Sequence, residues 1–297
     1  MEEDLERKIK ETALANGAAA CGITRADTSE EYLRWASLAA KAPEGLDYLK
    51  KRGFLRGDMN LWFRGAKSVI ICLFPYWDGT RDYPAELTAV GDAAKYLAGG
   101  GRIIFRPELL SKKKIKIARY AMNADYHKTV KEKLRLVREE LRKTLPAARF
   151  RIFCDNSPVM EKELARSAGL GFIGRNTLLI SPELGSFVNI GGIAVDVELK
   201  PDGPLPETAG CGDCRLCEKI CPGKALEDYK ISQENCISYW TTQKTAQPLP
   251  KSVSESDFVY GCDICQENCP FNKRLKKIIP RKDAEGLCSP DPQGRRN

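Results

Sequence analysis

The apolar residues of the chain recur at helical spacing in some stretches and in short continuous runs in others. Leu5, Ile9 and Leu14 lie in an otherwise charged stretch, which predicts an amphipathic helix that ends at Gly17. Apolar runs at 18–23 and 69–74 have the length of strands. The second run is continuous, so it predicts a strand that is buried on both faces.

The middle of the chain alternates between helix and strand patterns. Apolar residues at three- and four-residue steps predict a helix over 117–145, and a strand follows over 149–154. Ser157-Pro158 favours a helix start, because serine caps helices and proline suits their first turn, and Gly169 predicts its end. Asp155 is therefore expected on a turn from strand to helix.

Later segments complete an α+β pattern with a second domain. The stretches 177–180 and 186–199 are rich in strand-forming residues, and the turn composition of 182–185 predicts a hairpin between them. Residues 76–110 are irregular and are expected to form a loop that covers a site. The Pro- and Gly-rich stretch 200–206 is a linker by composition. The predicted domains are a catalytic domain (1–205), a cysteine-rich domain (206–282) and a polar tail (283–297).

Composition narrows the class of protein. Of the 297 residues 42% are hydrophobic, no apolar run is long enough to span a membrane, and the start is acidic, so a cytoplasmic globular protein is expected. The one histidine, His127, argues against His-based zinc catalysis and against a histidine-ligated cobalamin. The net charge is +8, and basic runs at 112–116 and 273–282 are candidate phosphate contacts or solvated helix faces.

Eight of the twelve cysteines lie close together in the second domain, at the spacing of iron-sulfur ligands. They form Cys-x-x-Cys-x-x-Cys-x-x-x-Cys-Pro at 211–222, Cys-x-x-Cys-x-x-x-Cys-Pro at 262–270, and a single cysteine at 236. In two-cluster ferredoxins the cysteine before proline serves the other cluster. One [4Fe-4S] cluster is thus expected on Cys211, Cys214, Cys217 and Cys269, and a second on Cys221, Cys236, Cys262 and Cys265.

A pair of zinc ribbons is the alternative for these cysteines, since Cys-x-x-Cys pairs also build sites with four thiolates. The Cys-Pro pairs and the triplet spacing favour cubane clusters. Two clusters of about −2 each would lower the net charge to about +4. Cys21, Cys72 and Cys154 lie in apolar runs and are expected in the core, and no role is assigned to Cys288.

The chain resembles the epoxyqueuosine reductase family, cobalamin-dependent iron-sulfur enzymes that complete queuosine biosynthesis in tRNA. The resemblance rests on the two cysteine motifs with Cys-Ile-Ser-Tyr at 236–239, and on Asp-Asn-Ser-Pro at 155–158 and Gly-Leu-Gly-Phe-Ile-Gly-Arg-Asn at 169–176. It implies a nitroreductase-like cobalamin-binding domain without a protein lower ligand, followed by a ferredoxin-like double [4Fe-4S] domain. It also implies tRNA as partner and an external low-potential electron donor such as ferredoxin or flavodoxin.

Three departures from the family pattern concern the substrate. The usual Asp-Thr-Gly-Pro is Asp-Asn-Ser-Pro here, and the usual Trp-Ile-Gly-Lys-Asn is Phe-Ile-Gly-Arg-Asn. Long family members continue into a helical-repeat domain that helps to hold tRNA, whereas this sequence ends soon after the second cysteine motif. The sequence therefore resembles a short form of the family.

The resemblance also implies roles for single residues. Asp155 is the candidate proton donor, which would require a raised pKa, and its alternative is an ordinary turn carboxylate. His127 is a second proton source, a cofactor contact, or a helix residue without a role. The remaining candidate cobalamin contacts are Tyr126, Ile173, Gly174, Arg175 and Asn176, of which Arg175 and Asn176 also fit a structural turn.

Two other functions remain open at this point. One is a related cobalamin-dependent reductase that acts on a small electrophile such as an organohalide. The other is a two-cluster protein that passes electrons to a corrinoid partner without binding a substrate.

Overall fold

The computed structural model describes residues 2–27, 31–51, 53–77, 107–109, 115–122, 124–243 and 247–278. Their α-helices are α1 (Glu2–Ala15), α2 (Tyr32–Ala40), α3 (Met59–Trp62), α4 (Tyr126–Thr144), α5 (Glu161–Ser167), α6 (Leu216–Ile220), α7 (Ile237–Thr242), α8 (Lys251–Ser254), α9 (Ile264–Glu267) and α10 (Pro270–Ile278). Short 3₁₀ turns lie at Asp47–Leu49, Gly53–Arg56, Pro107–Leu109, Arg119–Ala121 and Gln233–Asn235.

The strands form one main sheet and several two-stranded ladders. They are β1 (Ala20–Arg25), β2 (Ser68–Pro75), β3 (Lys116–Ile117), β4 (Phe150–Phe153), β5 (Phe172–Ile173), β6 (Leu179–Ile180), β7 (Val188–Val195), β8 (Leu226–Glu227), β9 (Lys230–Ile231) and β10 (Phe258–Tyr260). The main sheet has the order β1-β2-β7-β4, and every neighbouring pair is antiparallel.

Strand β2 is buried on both faces, as its continuous apolar run predicts. Ile70, Cys72 and Phe74 face one layer, which α1 and α4 cover with residues such as Ile9 and Leu134. Val69, Ile71 and Leu73 face the opposite layer, where α3 and α5 pack. The mixed architecture with helices on both faces of an antiparallel sheet confirms the α+β prediction.

Helix α4 packs closely on the sheet because β7 carries a glycine beneath it. A Cβ atom at Gly191 would lie 2.6 Å from Val130 Cγ1 and 2.9 Å from Leu134 Cδ1, both on α4. Any larger residue would separate the helix from the strand. The close packing brings the first turn of α4 next to the end of β4, where Asp155 lies.

Four predictions from the sequence pattern are wrong in detail. The helix over 117–145 begins only at Tyr126, because 116–117 pair as a strand with β10. The helix after Ser157-Pro158 begins at Glu161. Strand β6 pairs with β5 and not with β7, so the tight turn between Ser181 and Gly185 does not join a hairpin of the main sheet. Helix α1 buries Ile9 and Ala13, while Leu14 is 47% exposed.

The cysteine-rich segment is packed against the first half at several places. Strand β10 pairs with β3, and Leu46 of the first half lies in one apolar cluster with Trp240 and Phe258. The predicted linker is docked as well, since the backbone N–H of Ile23 donates to Asp202 Oδ2 at 2.7 Å and the backbone N–H of Asp202 donates to the Ile23 carbonyl at 2.9 Å. A boundary near residue 205 remains a prediction.

Several sequence predictions fall wholly or partly outside the described residues. They are most of the covering loop over 76–110, the basic residues 112–114 and 279–282, and the tail with Cys288. Cys72 and Cys154 are fully buried and Cys21 is partly buried, as expected for core residues. Within the part of the chain that is described, no helix combines the length and apolarity that crossing a membrane demands.

Candidate functional site

Asp155 lies on a tight turn that directs its carboxyl into a cavity. Strand β4 ends at the buried Phe153, and Asp155 two residues later has a φ of 58°, the left-handed region that non-glycine residues rarely occupy. Its backbone N–H donates to Glu161 Oε1 at 2.5 Å. This bond from the first turn of α5 holds the unusual backbone, so the strain is compensated locally.

Two donors from the start of α4 converge on the Asp155 carboxylate. The hydroxyl of Tyr126 donates to Asp155 Oδ2 at 2.8 Å, and His127 Nε2 lies 2.7 Å from the same oxygen. Asp125 caps α4 by accepting the backbone N–H of His127, and its Oδ1 also lies 2.8 Å from His127 Nδ1. Both ring nitrogens of the histidine therefore face carboxylates, an arrangement in which both must donate and the ring is an imidazolium.

The charges of this group follow from its hydrogen bonds. The pKa of His127 is raised, first by its hydrogen bond to Asp155 and further by Asp125. The pKa of Asp155 is lowered, first by the hydrogen bond from His127 and then by that from Tyr126. The expectation of a raised pKa for Asp155 is therefore wrong. Its carboxyl is ionised and the transferable proton resides on His127.

Glu161 is a second acid of the site that the sequence pattern did not indicate. Desolvation, followed by the nearby negative charge of Asp155, raises the pKa of Glu161 to about 8. This carboxyl is therefore mostly protonated at neutral pH. A glutamate six residues after the candidate acid, at the start of an amphipathic helix, reads as an ordinary first-turn residue, so the pattern gave no signal for it.

A cavity of about 520 Å³ opens in front of these groups and joins the two halves of the chain. From the first half it is lined by Tyr126, Asp155, Glu161, Asn176, Val188 and Ile190. From the second half it is lined by Leu226, Ile231, Ile237 and four of the predicted cluster cysteines. A largely apolar cavity with a few convergent polar groups is typical of a cofactor site.

The structure brings one predicted group of cysteines together beside α6. The pKa of Cys217 is raised to about 11, first by burial and then by nearby thiols that include Cys211 and Cys269. The pKa of Cys269 is also raised, first by burial and then by neighbours that include Cys211 and Cys214. These four cysteines are the group expected to hold the first cluster.

The second group surrounds the wall of the cavity. Burial, followed by the nearby Cys236 and Cys221, raises the pKa of Cys262 to about 12. The pKa of Cys265 is also raised, first by burial and then by Cys262 and Cys236. All four cysteines of this group line the cavity. Cys265 also lies within electrostatic range of Cys217, so the two groups are neighbours.

Such buried thiols ionise only when a cation compensates them, and metal binding supplies that compensation. In the described part of the chain no three Cys, His, Asp or Glu side chains converge as they would around a single ion. A four-iron cluster does not need such convergence, because each thiolate binds a separate iron atom. The two cysteine groups therefore fit clusters.

The candidate cobalamin contacts after β5 separate into two kinds. Asn176 is buried and lines the cavity, and its Nδ2 finds no acceptor among the described residues. Arg175 faces the first cysteine group instead: its backbone N–H donates to Cys211 Sγ at 3.5 Å, and its guanidinium pairs with Glu218 and Asp228. Ile173 and Gly174 pack against the core and are not among the residues that line the cavity, so their contact with a cofactor stays a prediction.

Two family descriptions match the sequence. Residues 210–272 match "4Fe-4S double cluster binding domain", and residues 56–156 match "Epoxyqueuosine reductase QueG, DUF1730". The second segment includes α4 and Asp155, and the first contains all eight cysteines of the two groups.

Curated relatives match nearly the whole chain. An epoxyqueuosine reductase of Leadbetterella byssophila is 34% identical over 91% of this chain and 80% of its own length. The epoxyqueuosine reductase of Escherichia coli K12 is 32% identical over 94% of this chain and 68% of its own length.

Solved structures share the fold. An epoxyqueuosine reductase bound to an epoxyqueuosine-modified tRNA-Tyr stem loop superposes with a TM-score of 0.69 at 25% identity, covering 92% of this chain and 66% of that one. A reductive dehalogenase described as carrying out B12-dependent dehalogenation superposes with a TM-score of 0.50 at 16% identity, over 94% of this chain and 35% of that one. The second likeness concerns the fold alone.

Proposed function

Because the chain belongs to the epoxyqueuosine reductase family, we propose that it reduces epoxyqueuosine to queuosine in tRNA. One observation carries the proposal: a single cavity has proton-carrying groups on one wall and the second cysteine group on another. The reaction breaks both carbon–oxygen bonds of the epoxide, forms a carbon–carbon double bond and releases water. It therefore consumes two electrons and two protons at one place.

Two [4Fe-4S] clusters fit the two cysteine groups. The first would be held by Cys211, Cys214, Cys217 and Cys269, and the second by Cys221, Cys236, Cys262 and Cys265. Clusters there would supply single low-potential electrons, in the range that cysteine-ligated cubanes cover. The match to a double-cluster domain supports this assignment, and the second group is the one that lines the cavity.

Cobalamin fits the cavity by the residues that line it. The walls are largely apolar, and the unpaired Nδ2 of Asn176 is a donor for an amide or phosphate oxygen of the cofactor. His127 is held by Asp125 and Asp155, so it is not free to bind cobalt. Bound there, cobalamin would supply a strongly reducing cobalt centre, and Tyr126 and Asn176 would contact it from the first half of the chain.

Residues of the site carry and transfer the protons that the reaction consumes. His127 carries a proton at Nε2 and Tyr126 carries one at its hydroxyl, and both point to Asp155 Oδ2. Asp155 is 56% exposed and opens into the cavity, so it is the group placed to deliver a proton to the departing oxygen. Its ionised resting state is suited to passing on a proton that it receives from His127.

The partners follow from the same proposal. The net charge of +8, about +4 with both clusters bound, favours a polyanion such as tRNA, and phosphate contacts would make binding weaker at high salt. Electrons would come from an external low-potential donor such as ferredoxin or flavodoxin. We expect the reaction to take place in the cytoplasm, because thiols remain reduced there.

The substrate is tested by competition between two electrophiles. Protein with reconstituted clusters and added cobalamin is reduced and supplied with epoxyqueuosine-containing tRNA or with an aryl halide. We expect queuosine in the nucleoside digest and negligible halide release. Halide release without queuosine would instead assign the chain to a related reductase of small electrophiles.

If neither substrate is converted, visible spectra with and without cobalamin give a further answer. A protein that carries clusters but does not change the cobalamin spectrum would be an electron-transfer protein, and the proposal would be wrong.

A further inference from the structure

Glu161 shares a wall of the cavity with Asp155 but makes none of the contacts that organise His127 and Tyr126. Its Oε1 accepts the backbone N–H of Asp155 at 2.5 Å. The side chain lies between the end of β4 and the first turn of α5, and it lines the same cavity as the Asp155 carboxyl. It is therefore next to the reacting region without being part of the Asp155–His127 pair.

The groups that face Glu161 come from three neighbouring elements. Asp155 and the Cys154 thiol lie on the turn after β4, Arg56 comes from the 3₁₀ turn Gly53–Arg56, and His127 comes from α4. Arg56 Nη1 is itself bonded to the Val159 carbonyl at 3.0 Å, which fixes it beside this turn. Loss of solvation and the charge of Asp155 outweigh the two cations, so the pKa of Glu161 is about 8 and its carboxyl keeps a proton at neutral pH.

We propose that Glu161 is the second proton source of this site and acts through Asp155, whose backbone it also holds. The inference rests on the proposed function, because it concerns the two protons that epoxide removal consumes. The electrons come from the low-potential donor. One proton leaves His127 through Asp155, and the other leaves Glu161. The oxygen departs as water, and solvent reprotonates both groups after the product leaves.

This assignment accounts for a proton that the Asp155–His127 pair lacks. With Asp155 ionised and His127 protonated, the pair carries one transferable proton, whereas the reaction needs two. Tyr126 does not supply the second, since burial raises the pKa of its hydroxyl far above neutral. Among the described residues on this wall of the cavity, Glu161 is the acid that is both neutral and adjacent to Asp155.

The test separates proton supply from the structural bond. Glu161→Gln keeps an oxygen that can accept the Asp155 N–H but has no acidic proton. We expect the variant to retain clusters and cobalamin while queuosine formation falls by roughly 10², the lower end for loss of a proton donor. In the wild type the rate should decline above about pH 8, where Glu161 ionises, and this decline should be absent in the variant. A rate and pH profile equal to those of the wild type would overturn the role.

A second readout needs no substrate. The infrared band of a protonated carboxyl, taken as wild type minus Glu161→Gln, should persist at pH 7 and fall to half its intensity around pH 8. If the band persists at pH 7 but no queuosine forms in the wild type, the proposed function is wrong. The result that Glu161 carries a proton at neutral pH would remain valid. A band already lost at pH 6 overturns the role of Glu161 in either case.

Glu163→Gln is the matched control on the same helix. Glu163 pairs with Arg166 through an oxygen 3.1 Å from Nε and does not line the cavity. The control should keep the wild-type rate, pH profile and carboxyl band. If Glu163→Gln reproduced the defect of Glu161→Gln, the effect would belong to the helix and the proposal would be wrong.

Discussion

Asp155 depends on its neighbours for both conformation and charge. Its left-handed backbone is held by Glu161, and its carboxylate is held by Tyr126 and His127. Of two acids in contact, Asp155 is ionised because it accepts two donors, and Glu161 is neutral because it is desolvated beside that charge. Environments that separate the pKa values of paired acids are a common feature of sites that transfer protons.

Replacing Asp155 tests its role in proton delivery. Asp155→Asn is nearly isosteric but cannot transfer an acidic proton. We expect it to keep both clusters and cobalamin while turnover of epoxyqueuosine falls by roughly 10² or more. The rate is measured as queuosine formed per unit time, with iron and cobalamin contents determined on the same samples. Unchanged turnover would make Asp155 a turn residue only.

Replacing His127 tests whether the cobalt has a protein ligand. Both ring nitrogens already face carboxylates, so His127→Ala should still bind cobalamin, and the absorption and EPR spectra of the bound cofactor should match those of the wild type. Spectra that show the loss of a nitrogen ligand in this variant would mean that His127 binds cobalt. Asp125→Asn is the paired variant, since it disturbs the histidine without removing it.

The sequence identified Asp155 and His127 as candidates because family motifs point to them, but it gave the wrong charge for Asp155. That charge depends on which donors reach its carboxylate, and the donors lie 28 and 29 residues earlier in the chain. The sequence did not indicate Glu161 for a related reason. Its raised pKa comes from desolvation in a cavity that only the folded chain creates.

The positions of α4 and α5 relative to β4 decide how the site is assembled. The sequence predicted all three elements but began both helices too early, because apolar spacing does not distinguish a short strand or an irregular turn from the first turn of a helix. The error in α5 matters most. With the helix starting at Glu161, residues 154–160 are free to form the turn that carries Asp155.

The sequence divided the eight cysteines into two groups by motif spacing and by the rule that the cysteine before proline serves the other cluster. The structure places cysteines of each group near one another, and which cysteines bind which cluster stays a prediction. What spacing did not give was their placement. The second group borders the cavity only because the cysteine-rich segment docks on the first half through β3, β10 and Leu46.

Cys236 is the predicted ligand that lies outside both motifs, and its variant tests the grouping. Cys236→Ala should weaken the cluster at the cavity and leave the other intact, since only one group loses a thiolate. EPR spectra of the reduced protein should then keep one cubane signal. Cys214→Ala is the matched control and should impair the other cluster. Equal loss of both clusters in each variant would contradict the grouping.

The two halves of the chain together form one site. The first half contributes the acids and the second contributes the cysteines, and neither half alone encloses the cavity. The docked linker, with Asp202 bonded to Ile23 in both directions, and the shared β3–β10 ladder fix their relation. The composition of residues 200–206 predicted a linker but did not indicate that the linker is hydrogen-bonded to β1 of the main sheet.

Metal analysis of the whole chain tests the assignment of its cofactors. Anaerobic reconstitution should give about eight iron and eight acid-labile sulfide per chain, the content of two cubanes. The protein should bind one cobalamin in addition. Two zinc ions without sulfide would show that the cysteines form zinc sites.

The electron stoichiometry of the conversion shows whether the protein removes the epoxide oxygen from a nucleoside in tRNA. Reduced protein with clusters and cobalamin is mixed with epoxyqueuosine-containing tRNA, and the nucleosides are identified by mass spectrometry while the consumed reductant is measured. We expect one queuosine formed for every two electrons consumed. Reductant consumed with the epoxyqueuosine unchanged, in protein whose clusters and cobalamin are intact, would contradict it.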